Sequence, residues 1–563
     1  MYKRQVYDPT VIDFLEVYGY DKNYDFSKLD NPNLDKMVQD LVKKRKSVLE
    51  IETNEKGIFL KIYTNFFIYH TLSLWWIGSF QKDTDPFLLI SGISFCFLHP
   101  FIFMFPVWLM LRLKRKFGFN LALLLFPFVW TGFEWLHGQT EIGFPWLTIG
   151  YTQIHNRFWV QIADLVGVHG LSFFICLVNV LFYQLLLTKK RENILSFQDY
   201  FKSKEAKRIL ISITFLMFIP MIYGAIRIND FNHDKLIANN PSVKIGIVQP
   251  NINPWEKWSM SSTELLDKHL TLQSKLIDSL GNQDLVLWSE TSMRYLSKEI
   301  NSDVDFNFLK HYMAKVKSPF LTGFTYYKYY QPKEKRSILA KKDLEGNEFI
   351  PLNSSVLVSF DSANFRVNTQ TYTKMKLTPF GERIPFIEDL SFLKDHLTWG
   401  VGISGWGYGK VQNNLTLNSK YQFGNIICIE SIHPDFIRKF AKNGAGFFTI
   451  ITNDAWYDGT YGPLQHWLIA GMRAIENRRY IARCANSGIS GFISPLGTDL
   501  KRLPQYQTVL DAEKIPVLNG AAFLTIYSRY GDFMAYLSLL IAGSLLVLTF
   551  FKVTVKSKSL SNY

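Results

Sequence analysis

Three side chains that suit covalent acyl chemistry each lie next to an apolar segment in the second half of this 563-residue sequence. Glu290 ends the run Leu285–Glu290, Lys374 follows Thr373, and Cys428 ends the run Gly424–Cys428. A thiolate can attack a carbonyl carbon, a carboxylate can take the thiol proton, and an ammonium can stabilise both thiolate and oxyanion. Taken singly, however, a cysteine is more often a core residue, a glutamate a solvated cap, and a lysine a surface residue. The spacing alone therefore does not decide their role.

The segments around these residues alternate between strand-like and helix-like patterns, which is typical of a layered α/β domain. The pattern predicts helices at Ser262–Leu280, Asn307–Val316 and Pro463–Arg479. It predicts strands at Val243–Val248, Leu285–Trp288, Phe320–Tyr327, Ser355–Phe360, Gly424–Cys428 and Phe447–Thr452. We expect Arg473, Arg478 and Arg479 on a solvated or ion-paired face of the last helix.

The remainder of the chain is dominated by uncharged apolar runs of about 17–25 residues, the length that crosses a bilayer core. They are Ile62–Phe80, Phe87–Leu111, Phe117–Phe133, Val166–Thr188, Ile209–Ile226 and Phe533–Phe551. Six such runs predict a multi-pass membrane protein. The mean hydropathy of +0.02 is then the average of a membrane region and a polar domain.

The formal charge of +14 is concentrated in particular connections between these runs. Basic residues follow the second, fourth and last runs, at Arg112–Lys116, Lys189–Arg208 and Lys552–Lys558. Because basic loops stay in the cytoplasm, these connections and the N-terminus are predicted to be inside. The loop Glu134–Leu165 and the segment Arg227–Asp532 are then outside. The charge is thus explained by topology, and no nucleic-acid partner is predicted.

The four cysteines, Cys96, Cys176, Cys428 and Cys484, are too scattered for a disulfide framework. No Cys/His metal spacing is present, and His466, at a helix start, is expected to pack rather than bind a metal. We therefore predict no metal and no cofactor.

Several short motifs surround the three candidate residues. They are Val248–Ile252, Trp288–Thr291, Lys374–Glu382, Ile427–Glu430, Thr452–Trp456 and Gly462–His466, with Gly143–Leu147 and Gly167–Leu171 in the apolar part. This set resembles the nitrilase (carbon–nitrogen hydrolase) superfamily, whose triad is Glu, Lys and Cys in that chain order. More narrowly, it resembles the bacterial apolipoprotein N-acyltransferase family from about Ile62 to Phe551, although that family usually has eight spans rather than six.

The resemblance implies a multi-pass α-helical membrane domain and an α/β nitrilase-like domain, an αββα sandwich, outside the cytoplasm. The expected divisions are a polar segment at 1–61, five membrane helices at 62–226, the nitrilase-like domain at 227–531, a C-terminal transmembrane helix at 532–552, and a basic tail at 553–563.

The resemblance also implies an activity. An acyl chain passes from a phospholipid onto Cys428 as a thioester, and then to the α-amino group of the diacylglyceryl-cysteine of an apolipoprotein. Glu290 would be the general base and Lys374 the oxyanion stabiliser. Supporting roles are implied for Glu382, which would hold the lysine, for Glu430, on the nucleophile's loop, and for Trp258, lining the substrate pocket.

The implied location is the bacterial inner membrane, with the catalytic domain in the periplasm. Two alternatives stay open on the sequence alone. One is a membrane-tethered amidase that cleaves a small amide. The other is an inert relative that only binds lipid or lipoprotein.

Overall fold

The computed structural model describes residues 57–79, 86–192, 194, 196–257, 259–296, 304–389, 405–457 and 459–551. The chain forms two compact units, residues 1–66 and 67–563. In the first unit, the described residues 57–66 are helical. The second unit begins with helical residues 67–74 and a 3-10 turn at Trp75–Gly78, and all that follows concerns this unit. The predicted tail 553–563 and most of the segment 1–61 lie outside the described residues.

The helices of the second unit are numbered here from residue 86 onwards. They are α1 Pro86–Phe97, α2 His99–Phe117, α3 Phe119–Gln139, α4 Ala163–Arg191, α5 Phe197–Lys202, α6 Lys204–Asp230, α7 His233–Asn239, α8 Pro254–Lys257, α9 Ser262–Leu280, α10 Val304–Val316, α11 Pro434–Lys442, α12 Gly462–Asn477, α13 Ile526–Tyr530 and α14 Phe533–Phe550.

Five helical stretches in the described ranges are long and apolar enough to cross a membrane. They are Leu88–Phe117, Phe119–Gln139, Trp159–Arg191, Lys204–Asp230 and Phe533–Phe550, and they coincide with five of the six predicted runs. The predicted run Ile62–Phe80 is not among them. Its helix ends at residue 74, because the backbone tightens into the turn Trp75–Gly78 and Ser79 takes a left-handed conformation with φ 43°.

The strands build two sheets. They are β1 Ser242–Gln249, β2 Leu285–Leu287, β3 Met293–Leu296, β4 Phe320–Tyr329, β5 Lys341–Lys342, β6 Glu348–Asp361, β7 Arg366–Thr373, β8 Leu415–Leu417, β9 Tyr421–Ile427, β10 Phe448–Thr452, β11 Ile481–Ala485, β12 Gly491–Ile493, β13 Asp499–Arg502 and β14 Val509–Pro516. The first sheet has the order β14-β1-β2-β4-β6-β5, with β3 beside β4 and β7 beside β6. The second has the order β13-β12-β11-β10-β9-β8.

Alternation along the strands decides how the layers stack. Ile245 and Ile247 of β1 face the second sheet and share a core with its Ile426 and Ile450. Val248 faces the other way. It joins a separate core against α9 and α10, with Leu266, Leu270, Leu309 and Met313. Residues of α11 and α12 cover the second sheet, including Phe436, Phe440, Trp467 and Ala470. The predicted αββα sandwich is therefore present, and the period-2 pattern of the strands produces it.

Buried ion pairs hold the sandwich against the membrane helices. Asp164, at the start of α4, lies 2.9 Å from Nε of Arg478 and 3.0 Å from Nε of Arg227 on α6. Arg473 pairs with Glu476 at 2.8 Å, and Glu476 accepts the backbone N–H of Val168 on α4.

The expectation of a solvated arginine face on this helix is wrong, because Arg473, Arg478 and Arg479 are all fully buried. The ion-paired alternative holds for Arg473 and Arg478. Arg479 instead donates to backbone carbonyls, including those of Ala445 and Phe523.

The basic helix ends lie at the end of the helical bundle that is remote from the sandwich. Lys116, near the end of α2, donates to the carbonyls of Leu548 and Phe551 at the end of α14. Arg191, which ends α4, pairs with Glu205 in the first turn of α6. The opposite ends of α4 and α6 meet the sandwich through Asp164. These basic helix ends of the sequence thus lie together at one end of the bundle, away from the sandwich.

We predict that Asp164→Asn destabilises the protein by about 3–5 kcal/mol, because it leaves the buried Arg478 guanidinium without its counter-charge. Thermal unfolding of the purified protein in detergent measures this loss. The matched control is Asp230→Asn, which removes the more exposed partner of Arg227 and should change stability by less than about 0.5 kcal/mol. Equal effects of the two substitutions would contradict the assignment of Asp164 as the junction.

Candidate functional site

The three chemically suited side chains all stand where a strand ends. Glu290 lies three residues beyond β2, Lys374 directly follows β7, and Cys428 directly follows β9. Cys428 and Thr291, the neighbour of Glu290, both have φ 50°, a left-handed conformation that is uncommon for residues other than glycine. Such turns aim the side chains off the ends of the strands, and all three reach the same cavity.

The ammonium of Lys374 lies between two carboxylates. Its Nζ is 3.0 Å from Oε1 of Glu290 and 2.9 Å from Oε1 of Glu382. The side-chain amide of Asn353 donates to the same two oxygens, each at 2.8 Å. Glu382 also accepts the N–H of Thr378 through its other oxygen at 2.7 Å. The lysine is therefore fixed in place, and it neutralises one of the two negative charges.

This arrangement keeps Lys374 charged despite its burial. Burial by itself lowers the pKa of Lys374, but the carboxylates of Glu290 and Glu382 outweigh it and raise that pKa above its usual value. Burial likewise opposes ionisation of Glu382, yet the Lys374 ammonium holds the pKa of that carboxyl below its usual range. An ammonium that cannot lose its proton is suited to stabilise negative charge rather than to act as a base.

The thiol of Cys428 is held in its protonated form. Burial raises its pKa, and the Glu290 carboxylate raises it further, while Lys374 acts in the opposite direction. The hydroxyl of Thr452 lies 3.2 Å from Sγ and 2.9 Å from Oδ1 of Asp454, so it can donate to either. The thiol thus needs a neighbouring base before it can attack, and Glu290 is the carboxylate next to it.

Glu430 ties the nucleophile's turn to the lysine's segment. It accepts the hydroxyl of Tyr372 and the N–H of Met375, both at 2.7 Å, and the N–H of Ile427 at 2.9 Å. Burial raises the pKa of Glu430 to about 7, against the lowering effect of these bonds. Because the carboxylate is committed to structural bonds on both sides of the site, its role is to position Cys428 and Lys374.

The cavity has two chemically different walls. The sandwich supplies the polar wall with the three residues above, Asn353 and Glu382. The membrane region supplies an apolar wall made of Trp76, Ile77, Leu88, Phe95, Phe144 and Trp146.

Gln465 fixes the aromatic part of the apolar wall. Its Oε1 accepts the indole N–H of Trp76 at 3.1 Å and that of Trp146 at 2.7 Å. Its amide donates to the carbonyl of Ser73 at 3.2 Å. Trp146 is also stacked on Phe144, with ring centroids 5.3 Å apart. One side chain of α12 therefore sets the orientation of two rings that line the cavity.

The structure brings the predicted Glu290, Lys374, Cys428 and Glu382 together and places Glu430 beside them. Trp258 lies outside the described residues. Sequence reasoning missed Asn353, Thr452 and Gln465, although the last two belong to quoted motifs. It treated His466 only as a packing residue. Nδ1 of His466 lies 3.0 Å from Oδ1 of Asp454, which can accept its N–H, and Nε2 lies 2.8 Å from the hydroxyl of Ser431 beside the turn at Cys428.

The described residues include no group of three or more His, Cys, Asp or Glu side chains arranged to hold a metal. The side chains around Cys428 are instead engaged with one another. The chemistry that the site supports is nucleophilic attack by sulfur with a carboxylate as base.

We predict that Glu290→Gln increases the rate at which iodoacetamide alkylates Cys428 by about tenfold, because loss of the carboxylate lowers the thiol's pKa. Iodoacetamide reacts with the fraction of sulfur that is thiolate at equilibrium, so this reaction does not need the base that attack by the thiol needs. Lys374→Met should slow alkylation for the opposite reason. Mass spectrometry of the peptide that contains Cys428 gives both rates, and the buried Cys484 serves as an internal control. Faster alkylation with Lys374→Met, or no increase in the alkylation rate with Glu290→Gln, would contradict the charge arrangement.

Comparison with known proteins agrees with the motifs. Residues 47–181 match the family model described as the apolipoprotein N-acyltransferase N-terminal domain, and residues 244–514 match the carbon-nitrogen hydrolase model. The apolipoprotein N-acyltransferase of Chlorobaculum tepidum is 30% identical over 507 residues, 88% of either chain. The enzyme of Geobacter metallireducens is 26% identical over 85% of this chain and 82% of its own length. The enzyme of Haemophilus influenzae is 27% identical over 83% of this chain and 81% of its own length.

These matches confirm the resemblance and the enzyme class predicted from the motifs, and with the five apolar helices they make the chain a membrane protein. The chain belongs to the apolipoprotein N-acyltransferase family.

Proposed function

We propose that this enzyme transfers an acyl chain from a phospholipid, through a thioester on Cys428, to the α-amino group of the diacylglyceryl-cysteine of an apolipoprotein. The observation that carries this proposal is the two-walled cavity. It places a thiol, a carboxylate and an ammonium opposite an apolar wall that comes from the membrane region. A lipid can reach such a site without leaving the bilayer surface.

In the first step, the Cys428 thiol gives its proton to Glu290 as sulfur attacks the ester carbonyl carbon. Lys374 stabilises the negative charge that develops on the carbonyl oxygen. When the carbon–oxygen bond breaks, Glu290 returns the proton to the departing glycerol oxygen. The products are a lysophospholipid and an acyl-thioester at Cys428.

In the second step, the neutral α-amine attacks the thioester carbonyl carbon and the carbon–sulfur bond breaks. The amine loses one proton to Glu290, and the Cys428 thiolate takes that proton to restore the resting thiol. The apolar wall serves this step by keeping water away from the thioester, since hydrolysis would release a free fatty acid instead.

The other residues of the site support this chemistry. Glu382 and Asn353 hold Lys374 and Glu290 in register, and Glu430 holds the turn at Cys428. Trp258 remains a proposed pocket residue on its position in the sequence alone.

We place the enzyme in the bacterial inner membrane with the sandwich on the periplasmic side. The basic helix ends around Lys116 and Arg191 lie remote from the sandwich, and basic ends stay in the cytoplasm. This orientation puts the cavity at the outer surface of that membrane, where a lipid-modified acceptor can meet a phospholipid donor.

A small-amide hydrolase would use the same three polar residues but has no need of the apolar wall. An inert binding protein would have no need of a buried lysine held by two carboxylates. Neither alternative accounts for both walls of the cavity.

The experiment is to incubate the purified enzyme with a phospholipid that carries a labelled acyl chain. We expect label on Cys428 that hydroxylamine releases, and passage of that label to the amine of a diacylated lipopeptide. Cys428→Ala should abolish both. Free fatty acid in place of acylated lipopeptide would indicate a phospholipase, and ammonia from small amides would favour the amidase. Absence of hydroxylamine-sensitive label in the unaltered enzyme overturns the proposal.

We further predict that Gln465→Leu weakens discrimination between donor chains of different length, because Trp76 and Trp146 lose their shared hydrogen-bond acceptor. One methylene in an apolar pocket is worth about 1–3 kcal/mol, so discrimination between neighbouring chain lengths should fall by about tenfold. Competition between two donors in one vesicle measures this ratio. The polar variant Gln465→Glu keeps a hydrogen-bond acceptor and should retain more of the discrimination between chain lengths. An unchanged discrimination ratio in Gln465→Leu would show that Gln465 does not set it.

A further inference from the structure

A second cavity is lined in part by Pro145, whose neighbours Phe144 and Trp146 line the first. Its lining comes from the end of α3, from α4, from the segment after Lys374, and from the start of α11. The residues that matter for its chemistry are Gln139, Lys376, His433, Asp435 and Lys439. None of them takes part in the proposed acyl transfer.

The charges in this cavity are unbalanced. Asp435 is already engaged by two cations, Arg438 at 2.7 Å and Lys439 at 3.3 Å. The half-buried ammonium of Lys376 has no carboxylate within 4.0 Å among the described residues. Burial and the nearby Lys439 lower its pKa, and the carboxylates of Glu430 and Asp435, which lie farther than 4.0 Å away, oppose this only in part. An ammonium in such surroundings is stabilised by a bound anion.

Two further groups can serve an anion there. Burial lowers the pKa of His433 to about 3, so its ring is neutral at pH 7 and carries one N–H. Helix α11 begins at Pro434, directly after this histidine, and its positive end faces the same cavity. The cavity therefore offers two ammonium groups, an imidazole and a helix start to one ligand.

The position of the cavity identifies the source of the anion. Gln139 ends α3 on the side of the bundle that meets the sandwich. Just below it in the bundle, Leu136 and Tyr536 are well exposed, and Tyr536 packs edge-on against Trp135 with centroids 5.1 Å apart. Exposed aromatic and aliphatic side chains at a helix end mark the bilayer surface, where phospholipid phosphates lie.

We propose that the cavity lined by Lys376, His433 and Lys439 binds the phosphate of a bilayer phospholipid beside the acyl cavity. The proposal rests on the membrane orientation given above but not on the acyl-transfer chemistry. The bound lipid would hold the junction of α3, the Phe144 loop and α11 at a fixed height in the membrane.

The test uses the full chain with Cys428→Ala, in detergent, and diether phosphatidylglycerol as the probe. Ether-linked chains cannot acylate a thiol, so binding is measured apart from catalysis. A failure of the phosphate site can then be told from a failure of the proposed acyl transfer. Native mass spectrometry gives the dissociation constant. We expect the double variant Lys376→Met, Lys439→Met to raise this dissociation constant at least tenfold. The double variant Lys376→Arg, Lys439→Arg should retain binding.

The matched control is Lys442→Met, an exposed lysine of α11 that does not line the cavity. It should bind the diether lipid like the parent, and equal thermal unfolding of all variants excludes a folding defect. Undiminished binding by the double methionine variant overturns the proposal. So does equal binding of a dialkylglycerol that lacks the phosphate, or full displacement of the lipid by an equal concentration of inorganic phosphate.

Discussion

The Lys374 ammonium, held by the carboxylates of Glu290 and Glu382, is the interaction on which the site depends. Two carboxylates and one ammonium leave a net negative charge beside a buried thiol. That charge disfavours a thiolate at rest, and in the mechanism that we propose Cys428 keeps its proton until Glu290 accepts it. Transfer of this proton within the site leaves the net charge unchanged. The arrangement therefore differs from cysteine enzymes in which an imidazolium stabilises a standing thiolate, and it protects an idle nucleophile from oxidation.

A second constraint operates on a larger scale, where the sandwich meets the membrane helices. The buried pair of Asp164 with Arg478 and the hydrogen bond that the Val168 N–H donates to Glu476 fix α12 against α4. Because α12 also carries Gln465 and His466, the same helix sets the aromatic wall and supports the turn at Cys428. The chemistry and the route for lipid are thus positioned by one element that is anchored at the membrane.

Glu290 and Cys428 stood out in the sequence because they follow apolar strands, and strand ends are where a layered α/β domain exposes functional groups. Lys374 follows the polar strand β7, and the resemblance was needed to group the three residues. Glu382 and Glu430 could be assigned only through the resemblance. Asn353 could not be found, because it lies within β6 and its partners come from segments 63 and 29 residues away. The burial of Arg473, Arg478 and Arg479 was missed for a related reason. Arg478 finds its counter-charge on α4, Arg473 pairs with Glu476 on its own helix, and Arg479 donates to backbone carbonyls. Their burial depends on how separate segments dock, which periodicity does not encode. The predicted run Ile62–Phe80 is helical as far as residue 74 and then enters the turn Trp75–Gly78, which apolar length alone does not reveal.

The central claim is that Cys428 rests as a protonated thiol beside Glu290 and Lys374. Infrared difference spectroscopy of the enzyme against Cys428→Ser at neutral pH tests it directly. The account predicts an S–H stretching band that disappears in the serine variant. No such band, together with thiolate absorbance in the ultraviolet, would contradict the account.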